Sequence, residues 1–248
     1  MVVPTDLKSP PIKEALVDIR VSLPQGITLA KLASLPEQVA KDYPEKQERR
    51  SGGFQIEFKE GKIVDPQVID EGPDGFLCYS SDKLQLVQFR LDGFTFNRLK
   101  PYTSWKQIRG EAFRLWELYR TTVEPALISR IALRYINRIE IPLPLVDLRD
   151  YLAAPPSTPP NLSGNLSSFL TRVVVREPSA RIEAIITQTG DVPGKPEQTA
   201  LLLDIDVISQ AVYDKDGKSA WETMERLREM KNRIFFESIT LKALELFK

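Results

Sequence analysis

Apolar and polar residues alternate along many short stretches of this chain. In residues 14–23, EALVDIRVSL, Ala15, Val17, Ile19 and Val21 fall on one side, the period-2 pattern of a half-buried strand. The stretch SRIALRYINRIEIP, 129–142, repeats it with Ile131, Leu133, Tyr135, Ile139 and Ile141. Further strands are predicted in GGFQIEF, GFLCYS, KLQLVQFRL, GFTFNRL, FLTRVVVR, RIEAIITQ and TALLLDIDV. The period changes to that of a helix between Ser104 and Val123, where Trp105, Ile108, Ala112, Leu115, Tyr119 and Val123 form one stripe before Pro125. A second long helix is predicted over SAWETMERLREMKNRIFFESIT, with Ser219 and Glu222 spaced as a capping box and Thr240 capping a short final helix. Residues 29–44, LAKLASLPEQVAKDYP, have helical spacing with a break expected near Pro36. A short helix is expected in LVDLRDYL, and AAPPSTPPNLSG reads as an exposed connection.

The order strand, helix, several strands, long helix occurs twice. Trp105 and Trp221 are 116 residues apart, as are Ile12 and Ile128, Leu32 and Leu148, and the stretches starting at Leu84 and Ala200. The expectation is an α+β protein in one unit, 1–248. It has an antiparallel sheet, two long helices on one face, and two pseudo-equivalent halves, 1–126 and 127–248, from an internal duplication.

Composition narrows the chemistry. The chain has 34 basic and 34 acidic residues, so bulk charge does not favour a nucleic-acid coat, and nucleic acid is not the preferred partner. It has no histidine, which removes Ser-His-Asp and Cys-His catalysis and every His-ligated metal site. Cys78 is the single cysteine and lies in an apolar strand, where an inert buried thiol is expected. No phosphate-binding loop or GxGxxG motif occurs, so no cofactor is expected and no catalytic residue is assigned. Neither a signal-like leader nor an apolar run of membrane-spanning length is present, and a cytoplasmic location without membrane partners is expected.

The side-chain period fixes one charged surface. If the apolar sides of the strands face the long helices, the other side carries Glu14, Asp18 and Arg20, then Arg130, Arg134 and Arg138, then Asp204 and Asp206. One reading is a ladder of cross-strand ion pairs, each contributing at most about 1 kcal/mol. Another is a recognition face on which Arg20, Arg130, Arg134 and Arg138 hold anionic groups, and a third is burial of the face in a dimer. Asp204 and Asp206 have the spacing of two ligands for a hard divalent ion, with Glu14 or Asp18 as further oxygen donors. In RRSGGF, 49–54, two arginines precede a glycine pair that reads as the entry to a hairpin turn. Asn232, inside the last long helix, is expected to bond across an element boundary.

Three segments, PPIKEALVDIRVSLP, SRIALRYINRIEIP and MKNRIFFESIT, together resemble a sporadically distributed family of uncharacterised bacterial proteins of about 250 residues. That resemblance spans essentially the whole chain and carries no activity or site residue with it. It implies a bacterial protein, and a patchy distribution fits mobile-element or defence functions. The expected function is a non-enzymatic binding or interaction protein using the charged sheet face, with a protein or an anionic ligand as partner. The alternatives are a metal-dependent phosphohydrolase and a nucleic-acid-binding module.

Overall fold

The computed structural model of the protein describes residues 7–55, 58–59, 62–63, 67–143, 145, 147–159, 161, 166, 168–192 and 198–248. In chain order its strands are β1 (Ile12–Ser22), β2 (Glu45–Gln55), β3 (Phe58–Lys59), β4 (Lys62–Ile63), β5 (Gln67–Tyr79), β6 (Gln85–Arg90), β7 (Gly93–Leu99), β8 (Leu127–Pro142), β9 (Phe169–Glu177), β10 (Ile182–Val192) and β11 (Gln198–Ser209). The helices are α1 (Leu29–Leu32), α2 (Ser34–Val39), α3 (Trp105–Val123), α4 (Lys218–Ser238) and α5 (Leu241–Glu245). Nine strands form one sheet in the order β2-β5-β6-β7-β1-β8-β11-β10-β9, while β3 pairs only with β4. Every pairing in that sheet is antiparallel, so the class is α+β.

The alternation read from the sequence sets the two sides of this sheet. Ala15, Val17 and Ile19 of β1 are buried, and so are Ile131, Leu133, Tyr135, Ile139 and Ile141 of β8. Val17 lies directly opposite Leu133, which in turn lies opposite Val207 of β11. These residues share one hydrophobic cluster with Leu115, Trp116 and Tyr119 of α3 and Met224, Leu227 and Phe235 of α4. Its densest part is aromatic. The Phe94 ring lies 6.1 Å from Trp116 and 6.2 Å from Tyr119, and the Tyr119 hydroxyl donates to the Arg90 carbonyl at 2.8 Å. The two long helices also meet. The Trp105 indole donates to Glu225 at 2.9 Å, and Arg109 pairs with the same carboxylate at 2.9 Å.

Local chemistry explains the boundaries. Ser104 caps α3 by accepting from the Gln107 amide, and Glu124 leaves the helix in the left-handed region at φ 47° before Pro125. Thr240 caps α5 through the Ala243 amide, as expected. The hairpin between β6 and β7 has Gly93 opposite Arg90 and at φ 153°. A Cβ at Gly93 would stand 2.2 Å from the Ile19 carbonyl oxygen, so only glycine lets β1 close on this turn.

Several expectations are corrected. The first helical region breaks at Ala33 rather than Pro36, because Pro36 occupies the first turn of α2, where its missing N–H costs nothing. The cap of α4 is Gly217, not Ser219: a left-handed glycine at φ 73° closes the turn, and the Asp216 carboxylate accepts from the Lys218 amide at 3.0 Å. The RRSGGF stretch is not a turn. It lies inside β2, where pairing with β5 shifts register at Arg49/Arg50 and again at Ser51/Gly52. LVDLRDYL forms only a 3-10 turn, Leu148–Asp150, with Asp147 as its cap. Residues 153–159 and 161 of the proline-rich connection lie outside helix and strand, while 160 and 162–165 lie outside the described residues.

The stretches related by the offset of 116 residues do not all take matching places in the sheet. The stretch from Leu84 becomes β6, two strands away from β1, whereas Ala200 begins a stretch within β11, directly beside β8. The strand beside β1 is β7, and four strands lie beyond β1 where three lie beyond β8, β2 being the extra one.

Truncation of Leu133, which is 0% exposed between Val17 and Val207, to alanine should cost about 2–5 kcal/mol in denaturant unfolding. Leu170→Ala, at a site 70% exposed, should change stability by no more than about 0.5 kcal/mol.

Candidate functional site

The residues between the apolar positions project from the other side of the sheet. There β1 contributes Asp18 and Arg20, β8 contributes Arg130 and Arg134, and β11 contributes Asp204 and Asp206. Two residues that the sequence did not flag join them: Arg90 of β6 and Thr95 of β7. A depression of about 210 Å³ is lined by Asp18, Arg20, Arg90, Arg130, Arg134 and Asp206, among others.

Asp18 is the centre of this network. Its Oδ1 accepts from Arg90 Nη2 at 2.9 Å and from the Thr95 hydroxyl at 2.7 Å. Its Oδ2 accepts from Arg130 Nη1 at 2.7 Å and lies 3.4 Å from Arg20 Nε. Arg20 and Arg130 stand directly opposite each other in the β1–β8 register, an arrangement of like charges that would weaken the pairing. Asp18, one pleat along, offsets it by bonding one and neighbouring the other, while Arg20 also bonds Asp92. Burial works against ionising Asp18. Arg90, Thr95 and Arg20 outweigh burial, and the carboxyl sits below its ordinary range.

Asp206 has the opposite fate. It is largely buried, among the described residues its Oδ1 accepts no hydrogen bond, and Arg130 approaches its Oδ2 only to 4.0 Å. Burial therefore raises its pKa, with Arg130 and Arg134 offsetting only part of the effect. Asp204 is held by Arg134, which donates from Nε at 2.9 Å and from Nη2 at 2.5 Å. That hydrogen bonding raises the Arg134 pKa, and the side chain remains 44% exposed. Arg138 lies apart from this cluster. Its Nε is 3.5 Å from Glu140 on its own strand, and it lines a different depression with Tyr102 and Phe247.

Of the two, Asp204 is thus engaged by Arg134, while Asp206 is held only loosely by Arg130. The other acids proposed beside them are also engaged: Glu14 accepts from the Asn97 amide at 2.7 Å, and Asp18 is occupied as described. Among the described residues no group of three or more Asp, Glu, Cys or His side chains could hold a metal ion. Cys78 is buried, and burial pushes its thiol up to about 11.

On the other side of the sheet lies a second cavity, of about 220 Å³, between α4, the segment before α3 and residues 7–12. Tyr102, Trp105, Asn137, Arg228, Lys231 and Phe235 are among its walls. Lys231 is 8% exposed, its Nζ lies 3.9 Å from the centre of the Tyr135 ring, and among the described residues no carboxylate pairs with it. Burial, with Arg228 nearby, lowers its pKa to about 7. The sequence carried a signal for this residue. Met224, Leu227, Lys231 and Phe235 fall on one helical stripe, so a lysine occupies a core position. Asn232, beside it, also lines the cavity.

Two stability measurements separate these roles. Asp18→Ala removes the carboxylate that joins Arg90, Thr95 and Arg130, leaves Arg90, only 5% exposed, with the exposed Asp92 alone, and should cost about 3 kcal/mol. Because Asp18 has a depressed pKa, its contribution is present above the ordinary carboxylate value and is lost as pH falls through the lowered one. Lys231 behaves in the reverse sense. Between about 7 and the ordinary 10.5 the unfolded chain binds more protons than the folded one, so this lysine makes stability rise with pH across that window. Lys231→Met should therefore raise the thermal midpoint most at about pH 6, by a few degrees, with the gain shrinking toward about pH 10.

No protein-family model, curated protein or solved structure matches this chain.

Proposed function

We propose that the protein is a non-catalytic binding protein and that its charged sheet face is the contact surface for a protein or an anionic partner. The observation that carries this reading is the state of Arg134. One edge of its guanidinium is fixed by Asp204, yet the side chain stays 44% exposed in the middle of a strand. Among the described residues Nη1 has no hydrogen bond, so a cation of set orientation is offered to solvent. Ordering such a side chain beforehand lowers the entropy cost of binding. Arg130 and Arg20 flank it but are spent on Asp18 and Asp92, so they act as support rather than as first contacts.

The same reading takes residues 1–126 and 127–248 as two related halves of one unit, with both long helices on the apolar side. Three features support it. Val17 and Leu133 are directly paired at the offset of 116 residues that also relates Trp105 and Trp221. The strands beside β1 and β8, β7 and β11, are each the last strand before a long helix. Core residues from both helices join one cluster with the apolar sides of β1 and β8. The reading also places the protein in the bacterial cytoplasm, in a mobile-element or defence setting, as the resemblance implies. Among the described residues no helix is long and apolar enough to cross a membrane.

Calorimetric titration with pyrophosphate, a glutamate-rich peptide and a short single-stranded oligonucleotide tests this function. Wild type should bind one of the first two, and Arg134→Ala should weaken it about tenfold, the cost of a charge-assisted hydrogen bond at ~1.5 kcal/mol. The unfolding free energy should change by no more than about 1 kcal/mol. Undiminished binding by Arg134→Ala, or a stability loss as large as that of Asp18→Ala, would make the arginines scaffold only. Steeply salt-dependent binding of the oligonucleotide alone would favour the nucleic-acid alternative.

A further inference from the structure

The Lys231 cavity lies across the sheet from the arginine face and stands on separate observations. Its chemistry is one-sided. Lys8, Arg228 and Lys231 line it, and among the described residues no acidic side chain does. Glu225, the nearest acid on the same helix face, is committed to the Trp105 indole and to Arg109. An amine in a protein interior ordinarily has a carboxylate beside it, because an unpaired buried charge is costly. Lys231 instead has a ring face, Tyr135, and a second cation three residues earlier on its helix, Arg228.

That environment favours the neutral amine, the nucleophilic form. An apolar pocket and a neighbouring cation are the two ways a lysine is activated toward carbonyl compounds. The remaining walls define what else the ligand carries. Trp105 and Phe235 offer apolar surface for a hydrocarbon or aromatic body. Arg228 has no ion-pair partner among the described residues, and its guanidinium lies 6.0 Å from the Trp105 ring. It is a planar, bidentate receptor for a carboxylate. Residues three apart on a helix are neighbours, so the carboxylate and carbonyl it would share with Lys231 must be close together in the ligand.

We propose that this cavity is a covalent binding site for a small 2-oxo acid, with Lys231 forming an imine to the keto carbon and Arg228 holding the carboxylate. The Nζ lone pair adds to the keto carbon, and the C=O π electrons pass to oxygen. One proton moves from nitrogen to that oxygen, giving a carbinolamine. The C–O bond then breaks as the nitrogen lone pair forms C=N, and the oxygen leaves as water with the second nitrogen proton. The capture is reversible and consumes no oxidant or reductant. The groups facing the amine are Arg228 from its own helix, Tyr135 from β8, Tyr102 ahead of α3 and Lys8 from the first described segment. Burial, with the hydrogen bond to Tyr102, raises the Tyr135 pKa and keeps that phenol neutral.

Reductive trapping tests the proposal on the full chain. The protein is incubated with phenylpyruvate and sodium borohydride, which reduces an imine to a stable secondary amine, and the modified lysine is mapped by peptide mass spectrometry. The expected result is one dominant adduct, on Lys231, lost in Lys231→Met and in Lys231→Arg. Circular dichroism of both variants establishes that they are folded. Arg228→Met should retain labelling by benzaldehyde, which lacks a carboxylate, while labelling by phenylpyruvate falls at least about tenfold. Adducts spread over several lysines, and equally abundant in Lys231→Met, would overturn the proposal. So would the absence of any adduct on Lys231 in wild type. Equal loss of both probes in Arg228→Met would overturn the role given to Arg228.

Discussion

The antiparallel pairing of β1 with β8 is the constraint on which the rest depends. It joins strands whose bonded side chains, Asp18 and Arg130, are 112 residues apart. Closing so long a loop costs entropy that local contacts cannot repay, so the pair must be held by what lies on its two sides. On one side Val17 meets Leu133 over the shared core. On the other Asp18 meets Arg130. A slip of one residue would turn the arginines into the core and the aliphatic side chains out, which gives the register a single workable value.

The charged side shows how position in the sheet divides identical residues into different roles. Asp18 and Asp206 are both partly buried aspartates on the same face. Asp18 receives three hydrogen bonds and has its pKa lowered; Asp206 keeps an oxygen without a hydrogen bond among the described residues and has its pKa raised. Arg90 and Arg134 divide similarly. Arg90 is covered, and burial draws its pKa down, whereas the exposed Arg134 gains more from the Asp204 carboxylate than it loses to burial. The network thus combines a desolvated centre that specifies pairing with a rim that solvent can reach.

The apolar side contains its own exception. A lysine at a core position of α4 costs stability, and no ion pair among the described residues relieves that cost. Sites that keep such a group against folding stability are where chemistry is expected. The two candidate sites use opposite physics. The sheet face presents charges that are paired and oriented, and the cavity presents a charge that has been left unpaired.

Most of the architecture was legible in the sequence because it rests on local periodicity. The period of two in 14–23 and 129–142 predicts the strands and their sides, and the stripe from Trp105 to Val123 predicts α3. Arg130 and Arg134 were identifiable on the polar side from parity alone. What the sequence could not supply was which strands become neighbours. Arg90 and Thr95 reach Asp18 only because β7 and β6 follow β1 in the sheet, an order set by the global core and not by any local pattern. The offset of 116 residues paired the wrong strands for the same reason: an apolar strand at a matching offset is not a strand at a matching place in the sheet. Lys231 stood on the apolar stripe of α4, and that much was readable. Its lack of a carboxylate was decided by the packing of α4 over Tyr135 beside Tyr102, because desolvation is a property of the surroundings and not of the residue.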